Sequence, residues 1–458
     1  MPDVSALLEA VVGADQVMTG DAIADDYWHD ESLTGVPQRP AYLVRPADTG
    51  EVAALLSLAD EHGIPVTARG SATGLSGAAV PQADGMVVSF ERMNAVLDID
   101  DDNHVAVVQP GVTLEQLDAA LAERGLVYPV FPGEYSASLG GNVATNAGGM
   151  RAVKYGVTRH QVLGLEAVLA GGDVIRTGGK FVKATTGYDL TQLIIGSEGT
   201  LALITEAIVR VYPRPEHQAT VLAPFPDVEQ VTAAVPRIVG SGVGPLILEY
   251  IDQLTMAAIT GHVGLDLGVP EEIKQGALAY LVVMMENTHD DRLDQDVENL
   301  GELLFELGAM DVYVLPAQSA AQLIDAREKA FWVAKANNAD DIVDIVVPRA
   351  EIPRFMAKVA DIAQTYQSFV PGCGHAGDGN VHLSVFQPDA EMRHKVMRSL
   401  FEAGMAHGGA ISGEHGIGTT KKRYFLELED PVKVALMRRI KSAFDPKGIL
   451  NPGTLFDQ

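Results

Sequence analysis

Two short segments near the C-terminal end concentrate the groups that bind and polarise ligands: GHAGDGNVH, from Gly374 to His382, and GEHGIG, from Gly413 to Gly418. They place His375, His382, Glu414 and His415 among glycines. A divalent ion such as zinc takes neutral imidazole and carboxylate together, and three protein ligands leave a position for substrate. On a continuous strand the spacing of His375 and His382 would turn them to opposite faces. Gly377 and Gly379 let the loop fold back so that both aim at one point. Glu414 and His415 are adjacent, and neighbours in an extended backbone face opposite ways, so Glu414 can ligate an ion while His415 points to another side of the same cavity. Any one of these groups alone reads as a loop side chain with an ordinary hydrogen bond. Four in two glycine-rich loops read as a site.

A second constellation occupies the first half. RGSATGLSGAA (Arg69 to Ala79), SLGGNVATNAGG (Ser138 to Gly149) and GSEGTLALITEA (Gly196 to Ala207) interleave glycine with Ser, Thr and Asn. Such loops let backbone N–H groups approach a phosphate closely, and a dinucleotide pyrophosphate fits them. None has GxGxxG opening a helix with an acidic residue beyond it, and there is no Walker lysine, so a Rossmann or P-loop site is excluded.

The elements that must carry these loops alternate. Asp48 or Thr49 caps a helix with Val52, Leu55, Leu56 and Ala59 inward and Gly63 as stop, and a strand from Ile64 to Ala68 runs into the first glycine loop. Thr113 and Gln116 form a capping box before Leu114, Leu117 and Leu121, with Gly125 ending that helix. The class is α/β or α+β. Near Pro213 and Pro215 the glycine-dense texture stops, and longer strands follow: Tyr280 to Met285, Val312 to Leu315 and Ile342 to Val347. A domain boundary is expected there.

The 458 residues exceed one ordinary core, and 47% apolar with 21% charged residues is a globular composition. A formal charge of -28 repels nucleic acid and anionic lipid and argues against them as main ligands, so an anionic substrate needs a local cationic pocket. The single cysteine, Cys373, excludes an internal disulfide and a Cys-ligated cluster; it reads as a small buried residue, the alternative being a redox thiol. The first thirty residues carry Glu9, Asp15, Asp21, Asp25 and Asp26 without an apolar stretch, so no secretory signal is read and a cytoplasmic location is expected. Apolar runs such as Leu278 to Met285 fall short of the ~20 residues that span a bilayer. Peripheral attachment at the inner membrane stays open.

In sum of motifs the chain resembles the FAD-linked oxidases of the vanillyl-alcohol-oxidase (PCMH) type, in the branch of the glycolate oxidase catalytic subunit, D-lactate dehydrogenase and D-2-hydroxyglutarate dehydrogenase. The resemblance rests on YWHDES (Tyr27 to Ser32), the three glycine loops, KYGVT (Lys154 to Thr158), KATTGYDL (Lys183 to Leu190), GHAGDGNVH, SGEHGIG and DPKGILNPG (Asp445 to Gly453). It implies an α+β protein: an N-terminal helical segment over 1–35, a two-subdomain PCMH-type FAD-binding domain over 36–215, a C-terminal α+β cap carrying the substrate and metal site over 216–440, and a segment over 441–458 returning to the flavin.

Carried over by position, FAD would lie on Arg69, Gly70, Ser71, Ala72, Thr73, Gly74, Leu75, Ser76 and Gly77, then on Pro132, Ser138, Gly140, Gly141, Asn142, Asn146, Gly149 and Gly156, with Glu198, Gly199, Ile204 and Asn451 completing the pocket. Thr73 stands where relatives with tethered flavin have histidine, implying non-covalent FAD. His375, His382 and Glu414 match metal ligands, with zinc or manganese as the ion, and His415 matches a general base. Arg327 matches the arginine that takes the substrate carboxylate, the alternative being a solvated side chain. The implied activity is oxidation of a D-2-hydroxy acid of the glycolate or D-lactate type to the 2-oxo acid.

There are departures from the family pattern. The D-2-hydroxyglutarate branch has a lysine where this chain has Ile342, and an asparagine where it has Ser384, both of which argue against a dicarboxylate. Lys421, Lys422 and Arg423 either add charge near the site or form a surface cluster. The alternatives are a D-2-hydroxyglutarate dehydrogenase, a flavin-binding subunit without catalysis, and an ether-lipid synthase of the same flavin fold. The electron acceptor (quinone, cytochrome, electron-transferring flavoprotein or partner subunits) and a homodimer are left open.

Overall fold

The computed structural model describes residues 4–457; residues 1–3 of the N-terminal segment and Gln458 lie outside it. The expected first helix is Thr49–His62, where the Asp48 carboxylate accepts from the Glu51 N–H and Gly63 closes the end in the left-handed conformation. Its buried face is Val52, Leu55, Leu56 and Ala59. The strand that follows is Val66–Arg69, starting two residues later than the sequence suggests. The Ile64 N–H is spent on the Ala59 carbonyl at the helix end, and Pro65 has no N–H to offer a ladder.

Val66–Arg69 pairs in parallel with Met86–Ser89, which pairs in parallel with Tyr42–Val44, and Val17–Thr19 closes the four-stranded sheet antiparallel. The chain's last segment returns to this sheet: Val66 N–H donates to Ile449 and its carbonyl accepts from Asn451 N–H, both at 2.7 Å. Asn451 is thereby held beside the first glycine loop.

A five-stranded antiparallel sheet, in the order Val96–Asp100, Val105–Val108, Leu203–Arg210, Val162–Val168 and Val174–Gly178, carries the second and third glycine loops. Helix Leu114–Ala122 has the predicted capping box, and buries Leu114, Leu117 and Leu121. Helix Leu139–Thr145 follows the Ser138 cap and ends on Asn146.

From His217 onward the chain builds a seven-stranded antiparallel sheet: Tyr313–Val314, His217–Phe225, Ala279–Asn287, Ile247–Asp252, Gly372–Gly374, Asn380–Val385, Asp341–Val346. Strand alternation divides its side chains between two faces. Leu248, Tyr250, Val343, Ile345, Val381 and Leu383 enter one core, together with helices such as Val228–Gly240 and Ile352–Thr365. Ile251 and Cys373 face the other way, under Gln253–Val263 and Ala317–Glu328. Register then does the positioning. Ile251 lies opposite Cys373, Cys373 opposite His382, and His382 opposite Asp344, so these four share the second face with Glu249, two residues from Ile251.

Candidate active site

His375 sits in the turn between Gly372–Gly374 and Asn380–Val385, and His382 lies within the second strand. The hairpin brings their ring centroids to 4.8 Å. Of the two glycines expected to allow this, Gly379 has the left-handed backbone (φ 96°), and a Cβ there would fall 2.0 Å from the Val347 carbonyl. Gly377 serves packing instead: its Cβ would meet the Val153 side chain at 2.5 Å.

Glu414 closes the trio. Its Oε1 is 3.2 Å from His375 Nε2 and 3.3 Å from His382 Nε2. Tetrahedral zinc with bonds of ~2.0–2.1 Å needs ligand atoms ~3.3 Å apart, so these separations fit a common ion. A second trio, Asp344, His382 and His415, also brings donor atoms close together. Its carboxylate is already saturated: Asp344 accepts from Asn380 Nδ2, Ser412 Oγ and the N–H groups of Gly413, Glu414 and His415. Asp344 is therefore the anchor of the Glu-His loop, and the first trio is the better ion site.

Two buried acids organise the rest. Glu249, fully buried, accepts a 2.6 Å hydrogen bond from His375 Nδ1 and pairs with Arg327 Nη2 at 2.7 Å. That bond puts a proton on Nδ1; against burial, Glu249 and Glu414 raise the ring well above the usual imidazole range, so Nε2 also carries a proton toward Glu414 unless an ion takes its place. Burial would raise Glu249, Asp344 and Glu414, but their neighbours hold all three below the usual carboxylate range: His375 and Arg327 for Glu249, His415 (charged only in the acid range where that carboxylate titrates) and Lys421 for Asp344, the two histidines for Glu414. Arg327 and Lys421 are the fixed cations facing these three carboxylates. The negative excess must be offset by a divalent ion or by protonated imidazole, which suits the trio to a metal.

Arg327 is 6% exposed and lines the cavity, so the solvated alternative is overturned. Its Nε is buried without a hydrogen-bond partner. The basic run after the Glu-His loop divides. Lys421 is buried 3.7 Å from Asp344, whereas Lys422 pairs with Asp457 and Arg423 with Glu427 at the surface. Cys373 is buried as expected, and burial pushes its thiol up.

The glycine loops meet in a cleft of about 120 Å³ lined by Gly70, Ala72, Thr73, Gly74, Ser76, Ser138, Gly141, Asn142, Glu198, Gly199 and Asn451. Asn142 Nδ2 is a buried donor with no partner, as an anionic ligand would require. Among the described residues the N–H groups of Ala72 to Leu75 likewise find no acceptor in the protein. Ser71 donates its N–H to Ser138 Oγ, tying the first loop to the second. Glu198 accepts from the N–H groups of Ile417 and Gly418, joining the third loop to the Glu-His loop; burial pushes it up to about 7. Asn451 Nδ2 bridges the Ala78 and Glu198 carbonyls.

Other expected cleft residues sit elsewhere. Leu75 and Pro132 line the larger cavity that holds the histidines, and Thr73 lines both spaces. The Arg69 guanidinium turns away to the carbonyls of Asp26 and His29. Gly77 packs on Thr419, Gly140 on Pro110, Gly149 on Phe131 and Gly156 on His160, shaping the loops from behind. Asn146 accepts from the Arg159 N–H, and Ile204 lies in the apolar core of the second sheet.

Sequence reasoning missed Asp30, Glu249 and Asp344. Asp30 lines the cleft and accepts from Ser32, and burial raises it. Glu249 and Asp344 carried a signal: each is an acid flanked on both sides by apolar residues within a strand, ILEYI and IVDIV.

Comparison with known proteins bears on this arrangement. The model of the FAD linked oxidases, C-terminal domain, matches residues 214–455, and that of the FAD binding domain matches 40–178. The chain belongs to the FAD-linked oxidases. An uncharacterized FAD-linked oxidoreductase of Mycobacterium tuberculosis is 59% identical over 100% of this chain and 99% of its own length. D-lactate dehydrogenase of Anaerostipes hadrus is 37% identical over 96% of this chain and 94% of its own. Among solved structures, p-cresol methylhydroxylase with substrate bound superposes with TM-score 0.81 at 19% identity, over 99% of this chain and 96% of that one, which shows a PCMH-type fold. The chain is thus an oxidoreductase of this family with an FAD-binding domain, and no helix among the described residues is long and apolar enough to cross a membrane.

Proposed function

We propose that this FAD-linked oxidase converts a D-2-hydroxy acid to the 2-oxo acid, using non-covalent FAD and a divalent ion, zinc or manganese, on His375, His382 and Glu414. The observation that supports this best is the place of His415: it lines both the glycine-loop cleft and the cavity holding the trio and Arg327. One imidazole therefore touches the space for a flavin and the space for a metal-bound substrate. The names of the 37% identical relatives supply the D configuration and the hydroxy-acid class.

When bound, the flavin supplies a two-electron acceptor for the hydride leaving C2, and the ion supplies Lewis acidity at the hydroxyl. The protein's own groups do the rest. Arg327, aligned by Glu249, takes the substrate carboxylate with its planar fork. His415 accepts the hydroxyl proton. Burial, against the pull of Asp344 and with the help of Lys421, brings this ring down to about 4, so it is neutral and ready to accept. Its Nδ1 lies 3.9 Å from Asp344 Oδ2, beyond hydrogen-bond reach but close enough to set a negative charge beside the imidazolium that forms.

Anaerobic bleaching of the flavin with a panel of D- and L-2-hydroxy acids tests the reading without knowledge of the electron acceptor. Bleaching by D acids is the expected result; none by any 2-hydroxy acid would overturn it. FAD should leave the denatured protein on acid precipitation, since Thr73 offers no ring nitrogen for a tether, and flavin pelleting with the peptide would contradict this. Arg327→Lys keeps the charge but loses the fork, and should cost about 1–3 kcal/mol in kcat/KM for flavin reduction. Unchanged kinetics would reduce Arg327 to a structural partner of Glu249.

A further inference from the structure

We propose that the acid oxidised here carries a large apolar substituent on C2, an alkyl chain or aryl ring well beyond the methyl of lactate. This inference rests on the 2-hydroxy-acid reading above. The cavity that holds the trio measures about 420 Å³. The flavin ring and the ion would share this space with the substrate, so the chemical character of the wall left to the substrate, rather than the whole volume, decides what fits.

The glycine-loop domain contributes one side, through Thr73, Leu75, Pro132 and Met150, and a flavin would take that side. The opposite side belongs to the cap. Helix Gln253–Val263 supplies Leu254 and Ile259, helix Ala330–Ala336 supplies Phe331 and Trp332, and Phe369 and Phe386 close the wall with ring centroids 5.3 Å apart. Ile259 belongs to the core beneath, but the rest of this wall does not complete one. Leu254 is 57%, Trp332 40% and Phe369 50% exposed, three large apolar side chains left in water around one opening. Such a concentration marks a surface that an apolar ligand covers.

Charge excludes the other large class. Among the described residues lining the cavity, Arg327 is the only lysine or arginine, and Glu249 already neutralises it, so it can serve one carboxylate. Ile342 lies directly opposite Ser384 in strand register and both line the cavity, an apolar and a neutral group where a second carboxylate would need a cation. Glu134 on the same lining would repel it. The cavity therefore selects one carboxylate, held at Arg327, and a chain running along the apolar wall to the Leu254, Trp332 and Phe369 rim.

The test is the efficiency of anaerobic flavin reduction by glycolate, D-lactate, D-2-hydroxyhexanoate, D-2-hydroxyoctanoate, D-3-phenyllactate and D-2-hydroxyglutarate. Efficiency should rise about three- to four-fold per buried methylene, so that the octanoate derivative, with its longer chain fully buried, exceeds lactate by roughly several hundred-fold. Glycolate or D-lactate equal to or better than the octanoate and phenyl derivatives, or 2-hydroxyglutarate best of all, would overturn the substrate class while leaving hydroxy-acid oxidation intact. No bleaching by any of them would overturn both. Trp332→Asp and Phe369→Asp, at positions exposed enough to be accepted by the fold, should each cut the octanoate-to-lactate ratio at least ten-fold. An unchanged ratio in both folded variants would overturn the assignment of the rim.

Discussion

Dialysis against a strong chelator is expected to abolish substrate-driven flavin bleaching while FAD stays bound. The two ligands are held by different parts of the chain: the cleft for the flavin is built from the glycine loops and Asn451, the trio from the cap hairpin and Glu414. Loss of the Lewis acid leaves an alcohol whose proton is hard to remove, and removes several kcal/mol of transition-state stabilisation. Zn²⁺ or Mn²⁺ added back should restore the rate. His382→Ala should mimic the chelator without unfolding the sheet, because Asn380–Val385 keeps its pairing on both sides through the backbone. Elemental analysis alongside the bleaching rate provides the check. Full activity in verified metal-free enzyme would leave the two histidines as direct donors to substrate and remove the metal from the mechanism.

His415→Asn should slow flavin reduction by roughly 100-fold or more, the usual scale for a lost general base, with metal content and flavin absorbance intact. The loop would stay in place, since His415 is tethered by its backbone: its N–H donates to Asp344 and its carbonyl accepts from Ser76 Oγ. The contrast between reduction rate and metal content distinguishes the two trios. Loss of the ion with His415→Asn would mean that Asp344, His382 and His415 hold it and that Glu414 plays the other part.

Local chemistry made much of the site legible. Helix Thr49–His62 and the capping box at Thr113 were readable because caps and inward faces are set by residues a few positions apart. His375, His382, Glu414 and His415 stood out because glycine-rich loops leave little for such groups to do in packing. The seven-stranded order was beyond reach, since pairing between distant strands leaves no short-range mark. The strand after Gly63 was misplaced by two residues for a local reason, the helix end consuming the Ile64 N–H.

The sequence alone determined which groups are present and that two loops carry them, because motif residues lie close along the chain. Only the tertiary structure decided their working partners. Glu249 meets His375 across 126 residues, and Asp344 gathers the Glu-His loop across about seventy. It also decided that Arg327 is buried against Glu249, that Lys421 faces inward while Lys422 and Arg423 do not, and that the cavity has an apolar far wall. The physical reason is that the strength of a charge depends on desolvation and on what lies opposite it. Both are properties of sheet register and domain packing, which put chemically decisive neighbours far apart in sequence.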